Sequence, residues 1–322
     1  MRKPSSLVIS SCLLWLCLAA CTKSGAAGKP VIAVIPKGTL HEYWKSIHAG
    51  AEQAAKAAGV QIQWNGPQPE GDREAQIHLV QNFISAGVKG IVLAPIDERA
   101  LAAVVAEAKA AGVPTVVIDS ALAGDAHVAF IATDNRQGGE LGGNHLAKLL
   151  DGKGKVLLLR FQQGSASTTA REAGFLTAMA RYPGITIVSQ EQYAGDTEKA
   201  RQVAESLLIA QPDIDGVFCP NESTTHGFLL ALQSAGKAGK VKFVGFDGSK
   251  PLADGLRSGH LHGLVLQDPV LMGRRGVEAM VAHLRGEPLV RVQTTDLVLA
   301  TPENAQEKRV HELLEPDTSA LK

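Results

Sequence analysis

The sequence predicts an α/β protein built as two similar lobes, each a doubly wound parallel sheet. Three observations carry that expectation. Short apolar runs alternate with Ala-rich amphipathic stretches along almost the whole chain. Several of the amphipathic stretches stop at a glycine with the next apolar run close behind. One strand motif occurs twice, once in each half.

The apolar runs fall at residues 31–35, 60–64, 90–94, 115–118 and 128–132, then at 155–161, 185–190, 216–219, 242–246 and 263–267. They are β-branched or Leu-rich and do not alternate cleanly with polar residues. That suits strands buried on both faces of a parallel sheet. Helices are expected between them, for example over 43–58, 73–86, 98–111 and 198–210. Gly59, Gly87 and Gly112 stand where a left-handed residue closes a helix. Strand and helix alternating at this spacing means α/β layers with right-handed crossovers.

Such a number of strands is too many for one tidy sheet, and the pattern repeats. Lys89-Gly90-Ile91-Val92-Leu93-Ala94-Pro95 resembles Asp215-Gly216-Val217-Phe218-Cys219-Pro220. Each is a glycine, a buried strand, a proline and then polar residues opening a helix. Ligands of doubly wound sheets sit beyond the C-terminal ends of the strands, so two facing lobes would enclose a cleft there.

The first residues read as a targeting segment. Arg2 and Lys3 form a charged start, and residues 7–18 form an apolar stretch too short to span a bilayer. It runs into Leu18-Ala19-Ala20-Cys21, which resembles the lipobox of bacterial lipoproteins. The resemblance implies a signal peptide at 1–20, a diacylated Cys21 and a polar tether over 21–29. No later run reaches the length of a membrane span.

Length and charge exclude other classes. The chain has 322 residues, 45% hydrophobic and 20% charged, as a packed protein of about two domains would. Lys plus Arg and Asp plus Glu both number 32, and removing Arg2 and Lys3 turns the balance slightly acidic. No basic excess exists to neutralise phosphates, so nucleic acid is not an expected partner. Beyond Cys21 only Cys219 remains, inside an apolar run, where it reads as an inert packing thiol.

Polar and aromatic residues gather just after the expected strands. Lys37, His41, Tyr43 and Trp44 follow the first, and Asp119 and Ser120 the fourth. The second half offers Arg171, Asn221, Asp247 and Gln267. The set suits a polyol: carboxylates accept from pairs of hydroxyls, Arg and Asn donate, and aromatic rings cover the C–H face of a sugar. Tyr43 and Trp44 fit a second reading equally well, as the inward-packing start of the first helix.

From residue 31 to about residue 300 the chain resembles the ribose-binding branch of the type I periplasmic binding proteins. The stretches that carry the resemblance are Ile131-Ala132-Thr133-Asp134-Asn135 with Gly138-Gly139, Arg171-Glu172-Ala173-Gly174-Phe175, Val217 to Glu222, and Val244-Gly245-Phe246-Asp247-Gly248. The resemblance implies two lobes joined by three crossing strands and closing on a sugar. With the strand count it puts the N-terminal lobe at 30–133 plus 268–291 and the C-terminal lobe at 134–267 plus 292–322. It implies that Tyr43 and Trp44 sandwich the sugar ring and that Asp119, Arg171, Asn221, Asp247 and Gln267 bind its hydroxyls.

Three positions depart from the ribose pattern. Asp119 is followed by Ser120 where ribose binders carry Arg. Lys37 and His41 stand in a longer first loop in place of a Ser/Asn pair. Gly195, near Tyr193, stands where an aromatic is expected. A serine donates one short bond where a guanidinium donates several, which leaves room beside Asp119. Lys37 can return a cation as a point donor, and His41 adds bulk and a group that titrates near neutrality. The expected ligand is therefore a larger or substituted sugar in preference to plain D-ribose.

The sequence argues against an enzyme and against a cofactor or metal. His41-Glu42 is followed by Lys45 where a zincin requires His. Pro36-Lys37-Gly38-Thr39 stands where a dinucleotide fold carries its glycine fingerprint. Gly138-Gly139 and Gly142-Gly143 lack phosphate-loop spacing, and Gly164-Ser165-Ala166-Ser167 is no nucleophile elbow. Those glycines read as close packing or turns. The expected role is a monomeric receptor, anchored on the periplasmic or extracytoplasmic face, that delivers a sugar to an inner-membrane ABC permease and its ATPase. A sensory receptor of the same fold, acting on a membrane kinase or chemoreceptor, is the alternative. A sugar-responsive repressor would need a helix-turn-helix where the lipobox stands.

Overall fold

The computed structural model describes residues 29–68 and 70–321. The expected signal segment, Cys21 and nearly all of the tether lie outside the described residues.

In the first lobe the chain runs β1 (Val31–Ile35), α1 (Glu42–Ala58), β2 (Gln61–Trp64), α2 (Arg73–Ser85), β3 (Gly90–Leu93), α3 (Ala100–Ala110), β4 (Thr115–Ile118) and β5 (Ala129–Thr133). It crosses into α4 (Asn135–Leu149). There it builds β6 (Lys153–Arg160), α5 (Ala166–Met179), β7 (Gly184–Tyr193), α6 (Thr197–Ala210), β8 (Gly216–Phe218), α7 (Glu222–Ser234), β9 (Lys242–Phe246), α8 (Lys250–Arg257) and β10 (Gly263–Leu266). It then returns to α9 (Pro269–Leu284) and β11 (Val292–Thr295), and crosses again to β12 (Val298–Ala300) and α10 (Lys308–Leu314).

The two sheets have the same order. One runs β11-β5-β4-β3-β1-β2 and the other β12-β10-β9-β8-β6-β7. Pairing is parallel except for β12, which runs antiparallel to β10. The strands β3, β4, β8 and β10 are buried at every residue, which is why their sequences are continuous apolar runs. At the edge, β2 alternates exposed and half-buried positions. The repeated Gly-strand-Pro motif becomes β3 and β8, the same position in each sheet.

Helix ends follow the expected chemistry. Gly59, Gly87 and Gly112 all adopt left-handed backbone. The crossing after β5 lands on Asp134, whose carboxylate accepts from the Gln137 amide at 3.0 Å. The crossing after β10 lands on Asp268, which accepts from Leu271 at 2.9 Å. Each caps the first turn of the helix that enters the other lobe.

Those crossing helices are locked to their new lobe by reciprocal close approach. A side chain at Gly139 of α4 would meet the Arg171 carbonyl, and one at Gly174 of α5 would meet the Arg136 carbonyl. In the other lobe Gly50 of α1 faces the Val270 carbonyl and Gly273 of α9 faces the Ile47 carbonyl. Glycine lets each pair of backbones touch.

Three crossings are present, as the resemblance implies, but the third lies later than expected. β11 pairs with β5 in the first sheet through Val292 to Thr295, so the chain leaves that lobe between β11 and β12 and not at residue 291. The last residues do not all stay with the second lobe either. α10 packs on α8, and the closing turn Ser319–Leu321 packs against α1 of the first lobe. These strands escaped the sequence reading because β11 and β12 are short and largely half-exposed, with Asp296 between them.

Candidate functional site

The C-terminal ends of both sheets face each other, and the loops leaving them enclose a tight pocket with about 20 Å³ of free interior. The rims of the lobes are in contact around it. The Gln162 amide group donates to the Gly71 carbonyl at 3.3 Å, the Arg73 guanidinium to the Gln163 carbonyl at 2.8 Å, and the Glu98 amide to the Gly164 carbonyl at 2.9 Å.

The loop after β1 supplies Lys37, fully inside the protein at 3% exposure. Its Nζ lies 2.9 Å from Asp119 Oδ2 in its own lobe and donates across the cleft to Ser167 Oγ at 3.0 Å and Ser165 Oγ at 3.3 Å. Gln76 of α2 fixes this loop from below, donating to the carbonyls of Pro36 and Ala94 and accepting from the Ile96 amide.

Tyr43 and Trp44 open α1 and pack inward from it, but they do not form the sandwich that the resemblance implies, because their planes stand at 84° with no room for a ring between them. Both belong to the first lobe's core, and both line the pocket. Their rings meet edge to face at 5.0 Å. The Tyr43 hydroxyl donates to Asp119 Oδ1 at 2.8 Å, and the Trp44 indole donates to Glu70 Oε1 at 3.3 Å. The amide of Tyr43 reaches across the cleft to Glu222 Oε2 at 3.0 Å.

The second lobe presents Arg171 from α5 and Asp247 from the end of β9. The Arg171 guanidinium stacks 4.1 Å from the Phe246 ring centre, and donates to Asn135 Oδ1 at 2.7 Å and to the Pro220 carbonyl at 2.9 Å. It stands 3.9 Å from Asp247 Oδ2. Its other terminal nitrogen, Nη2, is buried with no partner among the described residues. Asp247 accepts from Gln267 Nε2 at 2.7 Å and from the Glu222 amide at 3.1 Å.

The electrostatics follow from burial and these pairs. Burial pushes the Asp119 carboxyl up, but Lys37 and then Arg171 outweigh it and hold the group below the usual carboxylate range. Burial raises Asp247, only partly offset by Arg171. Burial also raises the Tyr43 hydroxyl, with Asp119 adding to the effect. Cys219 is buried and its thiol is pushed up by burial, as an inert packing cysteine should be.

Of the expected residues, Lys37, His41, Tyr43, Trp44, Asp119, Arg171, Asn221 and Asp247 line the pocket. Ser120 and Gln267 stand behind it. Ser120 is fully buried and its Oγ accepts the Ser167 amide at 3.1 Å, so it joins the two lobes. Gln267 orients Asp247. The expected room beside Asp119 is not there: the Lys37 ammonium and the Ser167 hydroxyl take that side. Sequence reasoning missed Glu70, Phe161, Ser167, Thr168 and Glu222 in the lining. Phe161 ends an expected strand and Glu222 ends one of the stretches that carry the resemblance, which is the available signal. Glu70 lies in an irregular loop with no such marker.

A two-lobed molecule with like sheets, three crossings and a polar pocket at the facing strand ends is the architecture of a type I periplasmic binding protein. The chain belongs to that family: it matches the model described as periplasmic binding protein domain over residues 32–288. Among its relatives, the D-ribose/D-allose-binding protein of Pseudomonas aeruginosa is 31% identical over 294 residues, covering 89% of this chain and 92% of that protein. The D-allose-binding periplasmic protein of Escherichia coli is 30% identical, covering 77% and 83%. A solute-binding protein from Agrobacterium radiobacter, solved with D-arabinose, superimposes with a TM-score of 0.87 at 32% identity, over 90% of this chain and all of that one. One from Agrobacterium vitis, bound to α-D-tagatopyranose, gives 0.85 at 30% identity.

Proposed function

We propose that this protein is an extracytoplasmic receptor that captures a sugar or related polyol between its lobes and hands it to an ABC permease and its ATPase. The observation that carries this reading is the pairing of Lys37 with Asp119 in one lobe and Arg171 with Asp247 in the other, all four lining one pocket. Charged acceptors and donors fixed in this way suit a ring of hydroxyls, and Tyr43, Trp44 and Phe161 offer apolar faces to its C–H bonds. Relatives named for D-ribose and D-allose, and neighbours solved with D-arabinose and D-tagatose, support the same class of ligand.

Ligand contacts from both lobes favour the closed arrangement, so binding works by hinge closure and no bond is made or broken. The likeness of Leu18–Cys21 to a lipobox supports a lipid anchor on the periplasmic or extracytoplasmic face, with the fold acting as a monomer. Plain D-ribose is not the preferred ligand. Lys37 and His41 line the pocket where the ribose pattern carries a Ser/Asn pair, which changes the polar groups that a sugar meets.

A thermal-shift screen over pentoses, hexoses, deoxy sugars and polyols tests the reading. A true ligand at a hundred times its Kd adds about 2.7 kcal/mol of stability. No shift with any sugar, or turnover of one, overturns it.

A further inference from the structure

The pocket holds more acid than its fixed cations can match. Among the described residues four carboxylates line it, Glu70, Asp119, Glu222 and Asp247, against the permanent cations Lys37 and Arg171. Lys37 is engaged by Asp119 and two serine hydroxyls, and Arg171 stands against Asp247. Glu70 and Glu222 share one imidazole, and Glu70 also feels the Lys37 ammonium that Asp119 and the serines already engage, which only partly offsets its burial. His41 Nε2 lies 3.4 Å from Glu70 Oε2, and His41 also acts on Glu222. One imidazole neutralises at most one carboxylate.

The two surplus acids come from opposite lobes. Glu70 sits in the loop between β2 and α2, and Glu222 is the first residue of α7. Both are shielded from solvent, with the Glu70 side chain 6% exposed and Glu222 7%. Closing the lobes brings these carboxylates into one poorly solvated space, where like charges repel strongly. Burial raises Glu70 to about 8 and Glu222 to about 7, and each acid also feels Asp247 as a like charge. Their contacts with Trp44 Nε1 and the Tyr43 amide aim one oxygen of each without supplying a positive charge.

We propose that the preferred ligand is an amino sugar whose ammonium group is held by Glu70 and Glu222. This rests on the sugar-binding reading and narrows it. A protonated amine supplies the missing positive charge, donates to both carboxylates and turns their repulsion into a force for closure. A neutral sugar leaves one acid to be protonated instead.

Calorimetry tests this with D-glucosamine, D-galactosamine and D-mannosamine, each beside its neutral parent hexose and its N-acetylated form. N-Acetylation removes the charge and keeps the nitrogen. The expected result is at least one amine bound about tenfold or more tighter than both partners of its set. Glu70→Gln and Glu222→Gln should each cut that preference about tenfold while the far-UV circular dichroism is unchanged. Parent or N-acetyl sugars bound as tightly as the amines, or a preference surviving both substitutions, overturn the proposal and leave the sugar reading standing. A folded protein that binds no sugar of either kind overturns both.

Discussion

Asp119 and Asp247 are counterparts: each follows the third strand of its sheet, β4 or β9, and each holds left-handed backbone, with φ of 64° and 69°. Asp tolerates that region better than most residues, and the turn ends the strand sharply. Both carboxylates thereby enter the same pocket from opposite sides, each beside one buried cation. The site is a two-fold theme, acid after strand with a cation from a neighbouring loop or helix.

Asp247→Asn keeps a residue suited to left-handed backbone and removes the charge. Sugar affinity should fall at least about tenfold, since a hydrogen bond to a charged group contributes about 1.5–3 kcal/mol. Calorimetry on the folded variant decides it; unaltered affinity would remove Asp247 from the site.

Arg171→Ala should be worse for binding than the loss of one donor. It strips the partner from Asp247, uncovers Phe246 and frees Asn135. Breaking a buried pair from one side costs about 3–5 kcal/mol, so both the melting temperature and the affinity should drop. Retention of either at the native level contradicts the arrangement described.

Lys37→Met should disconnect the lobes on one side, because Lys37 joins Asp119 to Ser165 and Ser167. Small-angle scattering of the native protein should show a smaller radius of gyration with sugar than without. The variant should show less compaction at the same occupancy. An unchanged radius in the native protein would count against hinge closure.

The pH dependence has a definite sign. Glu70 and Glu222 titrate higher in the closed fold, at about 8 and about 7, than as free carboxyls. The folded state then binds more protons than the unfolded one above the ordinary carboxyl range. As far as these groups decide it, their contribution to the stability of the sugar-free protein should be fully present below about pH 4.5, be lost as pH rises through 7 and 8, and change no further above that. Asp119 works oppositely in acid, where its lowered carboxyl loses its charge to protonation below the usual range. Melting curves across pH check this, and Glu70→Gln should flatten the alkaline decline.

Cys21→Ser should release the protein from the membrane fraction or leave its leader uncleaved, because the lipobox resemblance makes that thiol the acylated group. A native protein found free of membranes, beginning at some other residue, would end the anchor reading.

The buried strands were legible in the sequence because both their faces meet protein. Runs such as Val31–Ile35, Thr115–Ile118 and Lys242–Phe246 match the observed strands end for end. β11 was not legible, since Val-Gln-Thr-Thr carries no apolar run, and β12 was not, since its apolar run from Leu297 to Ala300 is short and half-exposed. In the site, residues at strand ends could be named from position alone, as Asp119 and Asp247 show. The roles of Ser120 and Gln267 could not. Whether such a side chain touches the ligand space or its neighbour depends on packing across the cleft, where Ser120 meets the Ser167 amide. Glu70 was hidden because its loop has no periodicity, and its approach to Trp44 and His41 joins residues far apart in the chain.

The glycine contacts between α4 and α5 and between α1 and α9 leave no space for even a methyl group. They fasten each crossing helix to the lobe it enters, so the hinge motion proposed above would have to fall in the short segments around Asp134, Asp268 and the link between Thr295 and Val298. The loops that line the pocket lie outside those fastenings. Lys37, Glu70 or Glu222 can therefore be exchanged by evolution, changing the cargo, while the articulation that closes on it is inherited intact.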